Sequence, residues 1–169
     1  MLTRKSKLLL SLTVATPLLF AACTDNGIFN PLSDVAGTYQ LSVYAGRSLP
    51  AAYTIQPGDP NYPTLQNGAT LVVTDGSLVL RTSGSFTETN SYTITPNGGQ
   101  AYNDSFVSQG TWNLNGGTQV TLSAPATSQG APARYVTASW TVNTVNNKET
   151  INYQEYDSNN VAQSFEYQR

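Results

Sequence analysis

The chain has 169 residues, 11% of them charged, with no histidine and a single cysteine. Those counts exclude Ser-His-Asp and Cys-His catalysis, zinc or copper sites built on His or Cys pairs, and any internal disulfide. Beyond position 7 the basic residues Arg47, Arg81, Arg134, Lys148 and Arg169 are scattered, so nucleic acid and anionic lipid surfaces are poor partners.

Arg4, Lys5 and Lys7 open the chain without an acid and precede an apolar run, Leu8 to Phe20, that ends at Ala21-Ala22-Cys23. A positive start, a short apolar middle and small residues before a break form an export-signal pattern. Thirteen residues rise about 20 Å in a helix, short of the roughly 30 Å a bilayer core demands. Pro17 inside the run weakens such a helix further. A lone cysteine in an exported chain needs a reason. Leu19-Phe20-Ala21-Ala22-Cys23 resembles the lipobox of bacterial lipoproteins, with Phe20 where Leu is usual. That resemblance implies a signal peptide over 1–22, removal of the signal before Cys23, and diacylation of the Cys23 thiol, with a third chain usual on the new amino terminus. Two or more chains hold a protein stably on a membrane. Thr24, not Asp, follows the cysteine, which resembles outer-membrane sorting in a Gram-negative envelope. Ordinary cleavage near Ala22, leaving a free thiol, is the alternative.

From Cys23 onward five basic residues face ten acids, a net charge of −5. The charged fraction is far below the roughly 25% usual in globular domains. Ser, Thr, Asn and Gln take the place of charge, and Tyr occurs ten times, the palette of an exported β protein. Residues 23–36 read as a polar tether, docked in part through Ile28, Phe29 and Leu32. From Gly37 the chain alternates apolar and polar residues with period two. Tyr39, Leu41 and Val43 begin the pattern, and a long Pro-rich connection over 45–68 holds a short strand near Tyr53–Gln56. Leu71 and Val73 lead through a predicted turn, Thr74-Asp75-Gly76-Ser77, to Leu78 and Leu80. Phe86, Tyr92 and Ile94 follow, then Trp112 and Leu114, the turn Asn115-Gly116-Gly117-Thr118, and Val120 and Leu122. Val136, Ala138, Trp140 and Val142 form the longest run, Ile151 and Tyr153 the next, and Phe165 and Tyr167 the last. No helical period of 3.6 occurs in this part of the chain.

This pattern predicts an all-β, antiparallel up-and-down meander of about 8–10 strands, each with one wet face. Closure into a barrel hides both edges most completely; a two-sheet sandwich is the competing solution. Gly37-Thr38-Tyr39-Gln40-Leu41, with Gly46 and Leu49-Pro50, resembles the opening strand and turn of small bacterial lipocalin-like lipoproteins. Gly110-Thr111-Trp112-Asn113-Leu114 through Thr121-Leu122 is similar to their repeated hairpin. Tyr39 stands where lipocalins carry Trp, and their usual closing helix is not visible before Arg169. The resemblance implies a lipocalin-like barrel over 37–169 that takes a small apolar or amphiphilic ligand.

The aromatics Tyr39, Trp112, Trp140, Tyr153, Phe165 and Tyr167 fall on apolar strand faces and line either a packed core or a ligand cavity. An eight-stranded barrel is just wide enough for either. Tyr53 and Tyr62 in the long connection are candidates to cap its mouth. The acids Asp59, Asp75, Glu88, Asp104, Glu149, Glu155, Asp157 and Glu166 include no recognisable catalytic pair; Glu155 and Asp157 read as solvated acids near a strand end. No cofactor or metal site and no enzyme activity is expected. Two functions remain open: a lipid-anchored ligand-binding module, and a cavity-less domain whose outer face meets an envelope protein or glycan.

Overall fold

The computed structural model describes residues 31–60, 62–126, 133–156 and 160–169. A five-residue helix, α1 (Pro31–Val35), leads into ten strands: β1 (Gly37–Tyr44), β2 (Arg47–Ser48), β3 (Ala51–Ile55), β4 (Ala69–Leu80), β5 (Ser85–Pro96), β6 (Tyr102–Asn115), β7 (Gln119–Ala124), β8 (Arg134–Asn143), β9 (Lys148–Tyr156) and β10 (Ala162–Gln168). From β4 to β10 each strand pairs antiparallel with its successor, β10 pairs with β1, and β1 returns to pair with β4. Eight strands therefore close on themselves, and β2 and β3 are additions. The barrel forms and the sandwich does not, because closure pairs both edges of the meander.

The seam is split. β1 meets the second half of β4 only from Gly37↔Leu80 to Gln40↔Ser77. Beyond that point β1 bulges between Leu41 and Val43 and its end takes β2, while the first half of β4 takes β3. The long Pro-rich connection is thus partly absorbed into the wall. Arg47 donates to the Ala52 carbonyl and Tyr53 to the Tyr44 carbonyl across the gap.

The sequence predicts a turn at Thr74–Ser77, and there the structure differs. β4 runs unbroken from Ala69 to Leu80, with a bulge between Val73 and Asp75 that lets one strand serve both sides of the seam. Gly76 is present for close packing: a Cβ there would collide with Asn90 Oδ1 and come within 2.8 Å of a Leu41 methyl. True hairpin turns fall where predicted, as at Gly116 and Gly117, whose φ angles of 58° and 82° suit a primed turn.

A second difference is α1, since the sequence shows no helical period. Five residues are too few to display one. Val35 is fully buried, and the Tyr39 hydroxyl donates to the Val35 carbonyl at 2.7 Å. Residues 31–36, the end of the expected tether, therefore sit against the barrel; residues 23–30, with Cys23, lie outside the described residues, as does the signal segment. Inward-facing side chains from every barrel strand, Trp112, Tyr39, Tyr167, Phe86, Leu78, Leu122 and Ile151 among them, are buried almost completely.

Candidate functional site

Of the aromatics singled out by the sequence, Tyr39, Trp112, Tyr153, Phe165 and Tyr167 are buried in the core and Trp140 packs against it half-buried. Tyr39, Trp112 and Tyr167 retain at most 1% of their accessible area. A side chain facing a water-sized void would keep more, so these three pack against neighbours. Tyr153 stacks on Phe165 with ring centroids 4.9 Å apart and on Tyr167 at 6.1 Å, and Tyr44 meets Phe165 edge-on at 5.0 Å. Trp140 is half-buried and donates its indole N–H to Glu149 Oε2 at 3.1 Å.

Tyr53 and Tyr62 lie at the end of the barrel where Tyr44 and Tyr92 also point. Burial raises the Tyr44 pKa first, and the neighbouring Tyr62, Tyr53 and Tyr92 hydroxyls raise it further. Four phenols thus lie near one another there, each partly buried against the core. Arg47 covers the Tyr53 ring at 4.7 Å.

The opposite end is closed by a different arrangement. Arg169 donates to the carbonyls of Ala36 and Asp34 and to Glu149 Oε2, each at 2.6 Å, and lies 4.8 Å over the Tyr39 ring. Tyr39, Trp140 and Arg169 all converge on the one Glu149 oxygen. This cluster fastens α1 across the barrel end.

Between the two ends sits a residue the sequence reading passed over as one acid among eight. Glu88 is fully buried inside the barrel. Its carboxylate accepts from the Tyr167 hydroxyl at 2.6 Å, from the Tyr153 hydroxyl and from the Arg134 guanidinium. Tyr167 also lies 3.0 Å from Asn90 Oδ1, and Arg134 Nη2 donates to the Tyr153 hydroxyl at 3.0 Å. Arg134 Nε donates to Glu155 Oε1. Burying a carboxylate costs several kcal/mol unless partners replace water, and among the described residues no buried side-chain nitrogen or oxygen lacks one. Burial, and next the Glu88 charge, raise the pKa values of Tyr153 and Tyr167, so both phenols remain donors. Burial opposes the Arg134 charge, but the facing Glu88 and the Glu155 bond outweigh it and its pKa rises.

A signal for Glu88 was present. The spacing Phe86, Glu88, Asn90, Tyr92, Ile94 puts the acid on the inward face of β5, just as Arg134 begins the inward series Val136, Ala138, Trp140. Glu155 corrects the expectation of a solvated acid: it continues the inward face of β9 after Tyr153 and pairs with Arg134. Asp157 lies outside the described residues.

The barrel wall opens beside this polar knot. β6 pairs with β5 from Tyr102 to Thr111, but β7 joins β6 only from Thr111 onward and ends at Ala124, opposite the start of β8. Among the described residues the first half of β6 is left facing the ends of β8 and β9 across a cleft of about 540 Å³. Phe106, Val107, Pro125 and Tyr156 supply its apolar sides, and Ser108, Arg134 and Glu155 its polar floor. A hollow of about 620 Å³ is walled by side chains such as Thr74, Thr93 and Asn103 and touches no member of the Glu88 cluster; another of about 400 Å³, walled by Thr137, Ser139 and Gln154, touches that cluster only at Tyr153. Among the described residues no group of acids gathers in a way that would hold a metal ion.

Comparison with known proteins yields no match: no family model, no curated protein and no solved structure corresponds to this chain.

Proposed function

We propose that this protein is a lipid-anchored component of the bacterial cell envelope, held by acylated Cys23, whose barrel is a lipocalin-like module binding a small amphiphilic molecule. The observation that carries the binding half is the side cleft. It pairs aromatic and apolar walls with a polar floor held in place by bonds to Glu88, in a volume within the roughly 300–1,000 Å³ typical of ligand sites. The central axis is packed, so the ligand enters from the side, between β6 and the ends of β8 and β9. The address rests on the lipobox-like stretch at Leu19–Cys23. By the same resemblance the membrane is the outer one in a Gram-negative envelope.

A second reading has its own support. Val107, Tyr135 and Tyr156 stand exposed around the cleft, and exposed apolar clusters mark protein or glycan contacts as well as ligand grooves.

Two measurements test the proposal. Mass spectrometry of the purified protein should find acyl chains on Cys23, and Cys23→Ser should move the protein out of the membrane fraction; an unmodified thiol would end the anchor reading. The Cys23→Ser chain should bind the uncharged fluorophore N-phenyl-1-naphthylamine saturably, and Phe106→Asp should weaken that binding at least tenfold with the barrel intact by circular dichroism. Non-saturable binding, or binding indifferent to Phe106, would count for the protein-or-glycan reading.

A further inference from the structure

Resting on the cleft reading above, we infer that its ligand carries a cationic head group, an alkylammonium rather than a carboxylate or phosphate. The argument is one of charge and of which donors and acceptors are already engaged. Arg134 and Glu155 are the charged residues lining the cleft among the described residues, and an anionic head would look to Arg134. Each nitrogen of that guanidinium already has a partner, which takes three of its five N–H donors: Nε with Glu155, Nη1 with Glu88, Nη2 with the Tyr153 hydroxyl. Its side chain keeps 15% of its exposure, whereas that of Glu155 keeps 32%. The cleft therefore shows an entering ligand more carboxylate than guanidinium.

Glu155 uses Oε1 on Arg134, and among the described residues its Oε2 has no hydrogen-bond partner. The trio Glu88, Arg134 and Glu155 carries two negative charges against one positive, and the surplus is presented to the cleft at Glu155, since Glu88 is fully buried. Aromatic faces complete the recognition. Tyr156 is mostly exposed beside Glu155, and Phe106 already holds the Arg134 guanidinium 5.8 Å from its ring centre. Rings of this kind favour a desolvated ammonium. The head meets Glu155 and the rim rings, and the alkyl body lies along Phe106, Val107 and Pro125.

The test uses three probes that share one ten-carbon chain and differ only in the head: decylammonium, decanol and decanoate, each below its aggregation threshold. They compete with N-phenyl-1-naphthylamine for the Cys23→Ser chain. Decylammonium should displace the fluorophore at a concentration about tenfold lower than decanol, the low end of what a charge-assisted hydrogen bond supplies, and decanoate should be the weakest. Glu155→Gln should remove the difference between decylammonium and decanol. If that variant loses its fold, salt gives the same reading, since the preference should fade toward 1 M sodium chloride, where the screening length is about 3 Å. Equal displacement by all three, a preference for decanoate, or an ammonium preference that survives both Glu155→Gln and salt overturns the inference while leaving the cleft in place. Failure of the fluorophore to bind at all removes the cleft reading and the inference together.

Discussion

Two arginines turn into this barrel from strand ends, and their surroundings invite comparison. Arg169 and Arg134 each meet a glutamate and a tyrosine. Arg169 gives its remaining bonds to the carbonyls of Asp34 and Ala36, so it binds backbone and shuts an end. Arg134 gives all of its bonds to side chains, Glu88, Glu155 and Tyr153, at a point where the wall has already parted. One ion-pair cluster is therefore a closure and the other the floor of an opening. The difference comes from strand lengths: β7 has six residues against fourteen in β6 and stops at Ala124, opposite Arg134, so the first half of β6 beside that arginine has no β7 partner.

The largest expected effect breaks the comparison at the opening. Arg134→Leu strands Glu88 in the core without its cation, and should cost about 3–5 kcal/mol, read as a lower urea midpoint at unchanged slope. The equivalent change at the closed end, Arg169→Leu, should cost about 1–2 kcal/mol, because water still reaches Glu149 and can replace part of the loss. If the two variants lose equal stability, the distinction between a sealed floor and a solvated clasp is wrong. Tyr39→Phe should cost about 1 kcal/mol, from one hydroxyl shared between Val35 and Glu149, and should speed hydrogen exchange in residues 31–36 without touching the cleft.

Alkali sharpens the contrast further. The pKa values of Tyr39, Tyr153 and Tyr167 are raised, by burial first in each case. A group whose folded pKa exceeds its unfolded value stabilises fully below the latter, about 10 for tyrosine, and loses that contribution as pH climbs toward the folded value. Stability should therefore fall above about pH 10. Phenolate absorbance of these side chains should emerge together with loss of the fold. Glu88→Gln removes the charge that reinforces burial at Tyr153 and Tyr167, so those two should ionise more easily while Tyr39 does not. A uniform change in all three would contradict the separate environments.

The barrel was legible in the sequence because period-two alternation is strong, and because the Asn115-Gly116-Gly117 type of turn carries its own conformational demand. What misled was Asp75-Gly76, whose composition reads as a turn while its neighbours in space, Leu41 and Asn90, make the glycine a packing requirement; only the long-range register shows that. α1 was too short to announce itself. The alternation puts the aromatic residues on apolar strand faces, and five of the six are buried with Trp140 half-buried, but whether such residues fill or line a space depends on a few ångströms of radius. Glu88 and Arg134 obeyed the alternation and were legible in principle. Their pairing was not, since 46 residues separate them. The cleft followed from where β7 stops, and a strand end of that kind leaves no mark of its own in the sequence.

The most direct test of the account is a residue-by-residue nuclear magnetic resonance titration of the Cys23→Ser chain with N-phenyl-1-naphthylamine. The prediction is that amide shifts gather at Phe106, Ser108, Arg134, Glu155 and Tyr156 while Tyr39, Glu149 and Arg169 stay still. Shifts centred on the clasp at Arg169, or spread evenly over the outer wall, would contradict it.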